Sequence, residues 1–486
     1  MQKSNFILNF ATKHTKEKKL TFTSGLILLV LLLFAYLLFV INWGFPSAGL
    51  AGKAGGQGIN GYYFPTSDAA PPTIVNQAVN WGITIGRAIG SILVGWLIVK
   101  VSHKYAVIIS LVLMLFGIIA PYSPSYAGFI ILRTIFAIGG TMQIVFIQPI
   151  ISNYMNSRQK AVVSQFAPFV YPIGTIITLI PFVASDSKVI SGIQSHWQTI
   201  LLVISLLTLI PLIGYMILGT KFDLYPSAIE REKANPNKEQ LSIMRFLKQK
   251  DTWYWTILYG SWLMAVVLPF ALSKGLFHRL VPELVISPGI FDQKINSFLI
   301  IFLCGMFVGP FIVGLVSKYQ IKRRGFIASV ISLGVTFYVL GAITFVYGAS
   351  HEGPNTYGGY SILFLIFGLL MGTCLWGIQG VILNLPHEYK GSNPKKVGYQ
   401  FGLIWGLGYT AFTIGNIVVS LINTPPGIDI KADVNLSYNW AAAALATLVI
   451  FSLAASVGIT LLKEPNPDYI SFFKLRKSNL KKIIKK

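Results

Sequence analysis

"GRAIGSILVG" occupies residues 86–95, and "GMFVGPFIVG" occupies residues 305–314. Three glycines stand at matching spacing in each: Gly86, Gly90 and Gly95, then Gly305, Gly309 and Gly314. A basic turn follows both stretches, "KVSHK" (100–104) and "SKYQIKRR" (317–324). A second pair, "IQPIISN" (147–153) and "IQGVILN" (378–384), repeats further on. Each member leads through a basic loop to a Gln-Phe step, Gln165-Phe166 and Gln400-Phe401. Features recurring in one order read as an internal duplication. Small residues four apart in an apolar helix let two backbones approach closely, so the repeated unit is built for helix packing.

The surroundings of these stretches are apolar. Of 486 residues, 54% are hydrophobic and only 11% charged, against roughly 25% charged in soluble domains. The mean hydropathy is +0.65. Apolar runs of about 20 residues, enough to cross about 30 Å of hydrocarbon, fill most of the chain. They fall near 22–45, 74–100, 105–121, 127–152, 161–184, 197–219, 253–273, 296–317, 326–348, 360–385, 398–422 and 440–462. The expectation is an all-α integral membrane protein with twelve spans. The polar stretch 220–251 divides it into an N-terminal six-helix bundle (1–219), a cytoplasmic linker and a C-terminal bundle with a basic tail (252–486).

The net charge of +23 raises the possibility of a nucleic-acid partner, but its placement argues against one. With both termini, the 220–251 loop and the even-to-odd connections on one side, that side holds 31 Lys and Arg and the other holds six. Arg87 and Arg133 remain inside spans. Such asymmetry puts both ends in the cytoplasm of a multi-pass cell-membrane protein. The first apolar run lacks a small-residue cleavage site and reads as a retained span. Cys304 and Cys374 lie in apolar runs, which speaks against a disulfide framework or a thiolate metal site.

The repeat, the six-plus-six division and the basic turns together resemble the major facilitator superfamily. The resemblance covers essentially the whole chain. It implies two pseudo-symmetric six-helix bundles with a solute site between them. The family pattern after span 2 has an acid four positions beyond a glycine; here Gly95 is followed by Val99, and Lys100, His103 and Lys104 supply the basic part. The resemblance also implies that span 2 flanks the central cavity and span 4 lines it.

Arg87 then becomes the central question. A charged residue at a span's centre costs about 2.5–3.5 kcal/mol on insertion scales. All 16 acidic residues fall in expected loops or tails, so neither Arg87 nor Arg133 has an evident counter-ion. Asn76, Asn80, Thr84, Arg87 and Ser91 step by three or four and share a helix face. Guanidinium binds carboxylate or phosphate as a planar fork, which points to an anion arriving from outside. The alternative is that each arginine bonds helix-end carbonyls or reaches water.

The second half offers neutral groups: Thr373, Trp376, Gln379 and Asn384 in span 10, and Trp405, Tyr409, Thr413 and Asn416 on one face of span 11. Tyr254, Ser261 and Trp262 in span 7 add to them. The expected binding set is Asn80, Thr84, Arg87, Arg133, Tyr254, Trp376, Gln379, Trp405 and Tyr409. A cationic wall facing a neutral aromatic one fits a small organic anion, phosphorylated or carboxylated.

The chain has no "GxxxxGK[ST]" loop for ATP and no intramembrane acid or histidine to carry a proton. Exchange or facilitated diffusion by alternating access is therefore expected, with no cofactor, no metal and no enzyme chemistry. The partners are a small solute and the lipid bilayer, and the expected state is a monomer. A neutral-solute carrier (sugar, nucleoside or peptide) and a lipid translocator are the alternatives.

Overall fold

The computed structural model describes residues 19–66, 71–156, 167–182, 187–225, 243–281, 288–317, 321–352, 358–389, 394–425 and 433–472, with positions 159, 163 and 428. Eleven described helices are long and apolar enough to cross a membrane, and the shorter apolar helix Val170–Phe182 stands where the fifth span belongs. In the first half, span 1 is Phe22–Phe45, span 2 Ala78–Val101, span 3 begins at His103–Met114, and span 4 is Tyr126–Tyr154. Span 5 centres on Val170–Leu179, and span 6 is Trp197–Leu206 with Leu209–Leu218. In the second half, span 7 is Lys250–Leu280, span 8 Pro288–Ser317 and span 9 Arg323–His351. Span 10 is Gly359–Gly377 with Gln379–Glu388, span 11 Pro394–Asn423 and span 12 Val434–Leu461. Of the expected linker, residues 226–242 lie outside the described residues.

The duplicated glycines do equivalent work. A Cβ on Gly86 or Gly90 would stand 2.5 or 2.6 Å from the carbonyl oxygens of Thr134 and Ile138 in span 4. A Cβ on Gly305 or Gly309 would stand 2.2 or 2.4 Å from those of Leu369 and Thr373 in span 10. Spans 2 and 4, and spans 8 and 10, therefore pack backbone to backbone in both bundles. The polar stripe of span 2 turns inward: Asn80, Thr84, Arg87 and Ser91 are buried, while Ile85, Ile89, Ile92 and Trp96 are exposed. Asn76 is not on that helix. It ends the separate turn Thr73–Asn76.

The acid missing from the turn after span 2 is supplied from elsewhere. Asp223, just past span 6, accepts from the His103 backbone N–H at 2.8 Å. Glu464, just past span 12, accepts from the backbone N–H groups of Arg323 and Arg324 at 2.9 and 3.1 Å. A carboxylate thus caps the N-terminus of span 3 and of span 9, where the helix dipole favours negative charge. Arg323 also pairs with Glu388, Nε to Oε2 at 2.9 Å.

The bundles meet along spans 2 and 11 and along spans 5 and 8. Toward the face where span 1 begins and span 12 ends (the terminal face), Phe169 packs on Phe307 and Phe311 at 5.6 and 5.9 Å. Toward the far face, Gln77 donates to the Ala271 carbonyl at 2.9 Å and Asn296 to that of Phe182 at 2.9 Å. Contact on both sides encloses the space between the bundles.

Candidate functional site

Span 1 carries Tyr36, Phe39 and Trp43 at steps of three and four, which puts them on one helix face. That face meets Arg87. The guanidinium carbon lies 6.0, 5.5 and 5.1 Å from the three ring centroids. It lies 4.5 Å from the ring of Tyr409, which belongs to the other bundle. One nitrogen, Nη2, donates to the Tyr36 hydroxyl at 3.1 Å. A desolvated cation–π contact contributes about 2 kcal/mol, so a few such contacts offset an insertion cost of about 2.5–3.5 kcal/mol. Aromatic faces thus hold the charge in place of a carboxylate.

From Arg87 the aromatic contacts run in a circuit. Trp43 meets Tyr171 at 6.0 Å, and Tyr171 stacks on Trp376 at 5.2 Å with an interplanar angle of 18°. Trp376 meets Trp262 at 5.9 Å, Trp262 meets Tyr259 at 5.5 Å, and Tyr259 meets Tyr409 at 6.3 Å. Tyr409 closes the circuit on Arg87. The bundles touch within it twice, at Arg87–Tyr409 and at Tyr171–Trp376. Beside the first contact, the Thr84 and Thr413 hydroxyls hydrogen-bond across the interface at 2.6 Å.

A cavity opens on the far-face side of this circuit. Trp43 and Tyr171 line it from one bundle, together with Ser47 and Asn80. Phe270, Lys274 and Asn296 line it from the other. Asn80 Oδ1 accepts from Trp43 Nε1 at 3.3 Å and from Ser47 at 2.7 Å. Lys274 reaches this wall because span 7 continues to Leu280, past the expected end at 273. The C-terminal bundle therefore does bring a cation to the space between the bundles, which the sequence reading missed.

The expected site residues separate into groups. Arg87, Trp376 and Tyr409 belong to the circuit. Trp405 stacks on its member Tyr259 at 5.5 Å and 17°. Asn80 lines the cavity and Thr84 bridges the bundles. Gln379 is buried just past the break at Ile378 in span 10. Arg133 stands apart, inside the N-terminal bundle. Its Nη1 donates to Asn42 Oδ1 at 2.9 Å, and Nη1 and Nη2 both donate to the Asn42 carbonyl at 3.3 Å. Tyr254 lies near the terminal face, where its carbonyl packs against Gly458 of span 12. The circuit adds Tyr36, Trp43, Tyr171 and Tyr259, which were not expected. Helical spacing was the available signal for span 1. Among the described residues no three His, Cys, Asp or Glu side chains gather as a metal ion would need.

Comparison with known proteins gives a consistent picture. The sequence profile of the Mycoplasma MFS transporter family matches residues 129–424. An uncharacterized protein of Mesomycoplasma hyopneumoniae strain J is 63% identical, with 100% of both chains covered. The major facilitator superfamily transporter MG061 of Mycoplasma genitalium is 23% identical over 85% of this chain and 86% of its own. Among solved structures, a D-xylose-proton symporter aligns at 13% identity and a TM-score of 0.61, covering 92% of this chain and 99% of that one. The nucleoside transporter NupG aligns at 16% identity and a TM-score of 0.55, covering 90% and 100%. At such identities these two structures establish the fold alone.

Proposed function

The chain belongs to the Mycoplasma MFS transporter family, and from that premise we propose that this secondary transporter moves a small organic anion between its two bundles. The observation that supports an anion is the presence of a cation on each side of the interface. Arg87 comes from the N-terminal bundle and Lys274 from the C-terminal one. The groups around Arg87 are aromatic rings and a phenol hydroxyl. Arg87 faces the circuit and Lys274 faces the cavity, so a carboxylate or phosphate entering the cavity meets Lys274 first. Arg87 becomes available once Tyr409 withdraws with its bundle.

Alternating access follows from the same contacts. The Arg87–Tyr409 and Tyr171–Trp376 contacts close the centre in this state, and rocking of one bundle against the other would part them. With no carboxylate or histidine in the circuit, exchange or facilitated diffusion is the coupling mode. Monomeric function, the division of the chain at 220–251 and a cytoplasmic location for both termini complete the proposal. The last rests on the charge asymmetry between the loops.

A neutral sugar or nucleoside is the second reading. It is favoured by the way the protein itself holds both arginines: aromatic rings surround Arg87, and Asn42 takes up Arg133. The neighbours of like fold are a D-xylose-proton symporter and a nucleoside transporter. The deciding experiment is a thermal-shift and binding screen of purified protein with phosphates, carboxylates, sugars and nucleosides. Stabilisation by anions that is lost in Lys274→Gln supports the first reading. Stabilisation by neutral solutes alone supports the second.

A further inference from the structure

Arg279 repeats in the C-terminal bundle what Arg133 does in the N-terminal one. Its Nη1 donates to the backbone carbonyl of Asn423 and, at 2.7 Å, to Oδ1 of the same residue. Its Nε and Nη2 donate to the hydroxyl and the carbonyl of Ser437 at 3.0 and 2.7 Å. Arg279 stands one residue before the end of span 7, Asn423 ends span 11, and Ser437 lies in the first turn of span 12. One guanidinium thus gathers the far-face ends of three helices. With Oδ1 held by Arg279, the Asn423 amide has one orientation, and its Nδ2 donates to the Thr73 hydroxyl at 3.4 Å. Here the two asparagines part. Asn42 directs its Nδ2 to Ser205 inside its own bundle, whereas Asn423 reaches the turn Thr73–Asn76 that precedes span 2 of the other bundle. The Thr73 hydroxyl also hydrogen-bonds with the Thr424 hydroxyl.

These contacts stand between the cavity and the far face. Ala271 and Lys274 line the cavity from span 7, and Gln77 donates to the Ala271 carbonyl across the interface. Arg279 lies eight residues beyond Ala271, about 12 Å of helix rise, and Thr73 lies four residues before Gln77. The outer layer is therefore three neutral side chains tied by hydrogen bonds. Toward the terminal face the bundles meet by close backbone approach instead: a Cβ on Gly402 or Gly406 would stand 3.0 or 3.1 Å from the Ser91 or Ala88 carbonyl oxygen. Neutral hydrogen bonds are exchanged for bonds to water at little net cost, so the layer at Thr73 can part as the far face hydrates.

We infer that Thr73, Asn423 and Thr424 form the latch that closes the cavity toward the far face, and that Arg279 is its positioning residue, holding Asn423 so that the amide nitrogen meets Thr73. This rests on the alternating-access reading and not on the charge of the solute.

The test uses Ser47→Cys as a reporter in the cavity wall, in full-length protein lacking Cys304 and Cys374 and purified in detergent, so that reagent reaches both faces. Modification by a small hydrophilic methanethiosulfonate requires the cavity to open. Thr73→Val keeps the shape of the side chain and removes the hydroxyl. It should speed modification roughly three- to tenfold, the worth of one neutral hydrogen bond, with the melting temperature near wild type. Thr424→Val should act similarly. Arg279→Gln should also speed modification, and its effect should vanish in the Thr73→Val background, because both changes act on one contact. Asn423→Ala leaves the bonds from Arg279 to Ser437 in place and gives the same test if Arg279→Gln folds poorly. Unchanged modification in both threonine variants would overturn the latch. It would leave alternating access standing, which loss of uptake on cross-linking span 2 to span 11 tests by itself. Effects of Arg279→Gln and Thr73→Val that multiply would overturn the positioning role. A matching rise at a Ser110→Cys reporter, buried within the N-terminal bundle, would mean general loosening and would overturn the latch as well.

Discussion

Arg87 and Arg133 are equally buried, each 2% exposed, and each sits in a membrane span without a carboxylate partner among the described residues. Their surroundings differ. Arg133 stays within one bundle and gives its two terminal nitrogens to the side-chain and backbone oxygens of a single residue, Asn42. Asn42 is in turn held by Ser205 Oγ at 2.9 Å, so spans 1, 4 and 6 share one polar network. Arg87 donates to the Tyr36 phenol and faces aromatic rings, one of them across the interface. A guanidinium bonded to fixed oxygens holds one geometry. A guanidinium held by π faces and phenol hydroxyls keeps its charge without being bound to fixed backbone or amide oxygens. The same residue type thus serves as a fastener inside one bundle and as a movable charge between two.

The largest effect should come from fixing the interface beside Arg87. The Thr84 and Thr413 hydroxyls are 2.6 Å apart, so the two side chains meet across the interface and are the pair to cross-link. Thr84→Cys with Thr413→Cys, made in a background lacking Cys304 and Cys374, should lose solute uptake almost completely on oxidation and regain it on reduction. Uptake that persists in the oxidised protein would mean that spans 2 and 11 do not separate at this level during transport.

Next in size is the loss of the fastener. Arg133→Gln leaves the Asn42 carbonyl and amide oxygens buried with their donors gone, a loss of about 1.5–3 kcal/mol for bonds to a charged group. A lower melting temperature and a poorer monodisperse yield are expected, with near wild-type affinity in the protein that folds. A large affinity loss at unchanged melting temperature would place Arg133 on the solute path and abolish the contrast.

The smallest expected effect is on coupling. Among the described residues neither arginine has a titratable carboxylate or histidine beside it, so a proton ionophore should leave uptake into voltage-clamped proteoliposomes nearly unchanged. Strong accumulation that vanishes with the pH gradient would require a proton carrier outside the circuit.

The main architecture was readable because periodicity is local. The duplicated glycines, the inward stripe of Asn80, Thr84, Arg87 and Ser91, and the aromatic face of span 11 are all encoded within a few turns of their own helix. What escaped reading depends on partners distant in sequence or on helix ends. Tyr36, Phe39 and Trp43 have helical spacing, but they lie in a run so rich in leucine that no face stands out. Lys274 was taken for a loop residue because a lysine commonly ends a span; here the helix continues, and its side chain meets a cavity instead of lipid. Asp223 replaces the missing acid from 120 residues beyond the turn that it caps, which no local motif could disclose. The partition of the two arginines was likewise hidden, since Asn42 and Tyr409 lie 91 and 322 positions from their respective arginines.

The contrast between the arginines is tested most directly by measuring affinity and melting temperature together on wild type, Arg87→Gln and Arg133→Gln, using the tightest-binding anion of the solute screen. Removal of Arg87 costs the Tyr36 hydroxyl one hydrogen bond but also removes a buried charge that has no carboxylate partner among the described residues, so its melting temperature should stay near wild type or rise. Affinity should fall roughly ten- to a hundredfold, the worth of a charge-assisted hydrogen bond of about 1.5–3 kcal/mol. Unchanged affinity with a lower melting temperature in Arg87→Gln would contradict the account and make both arginines fasteners.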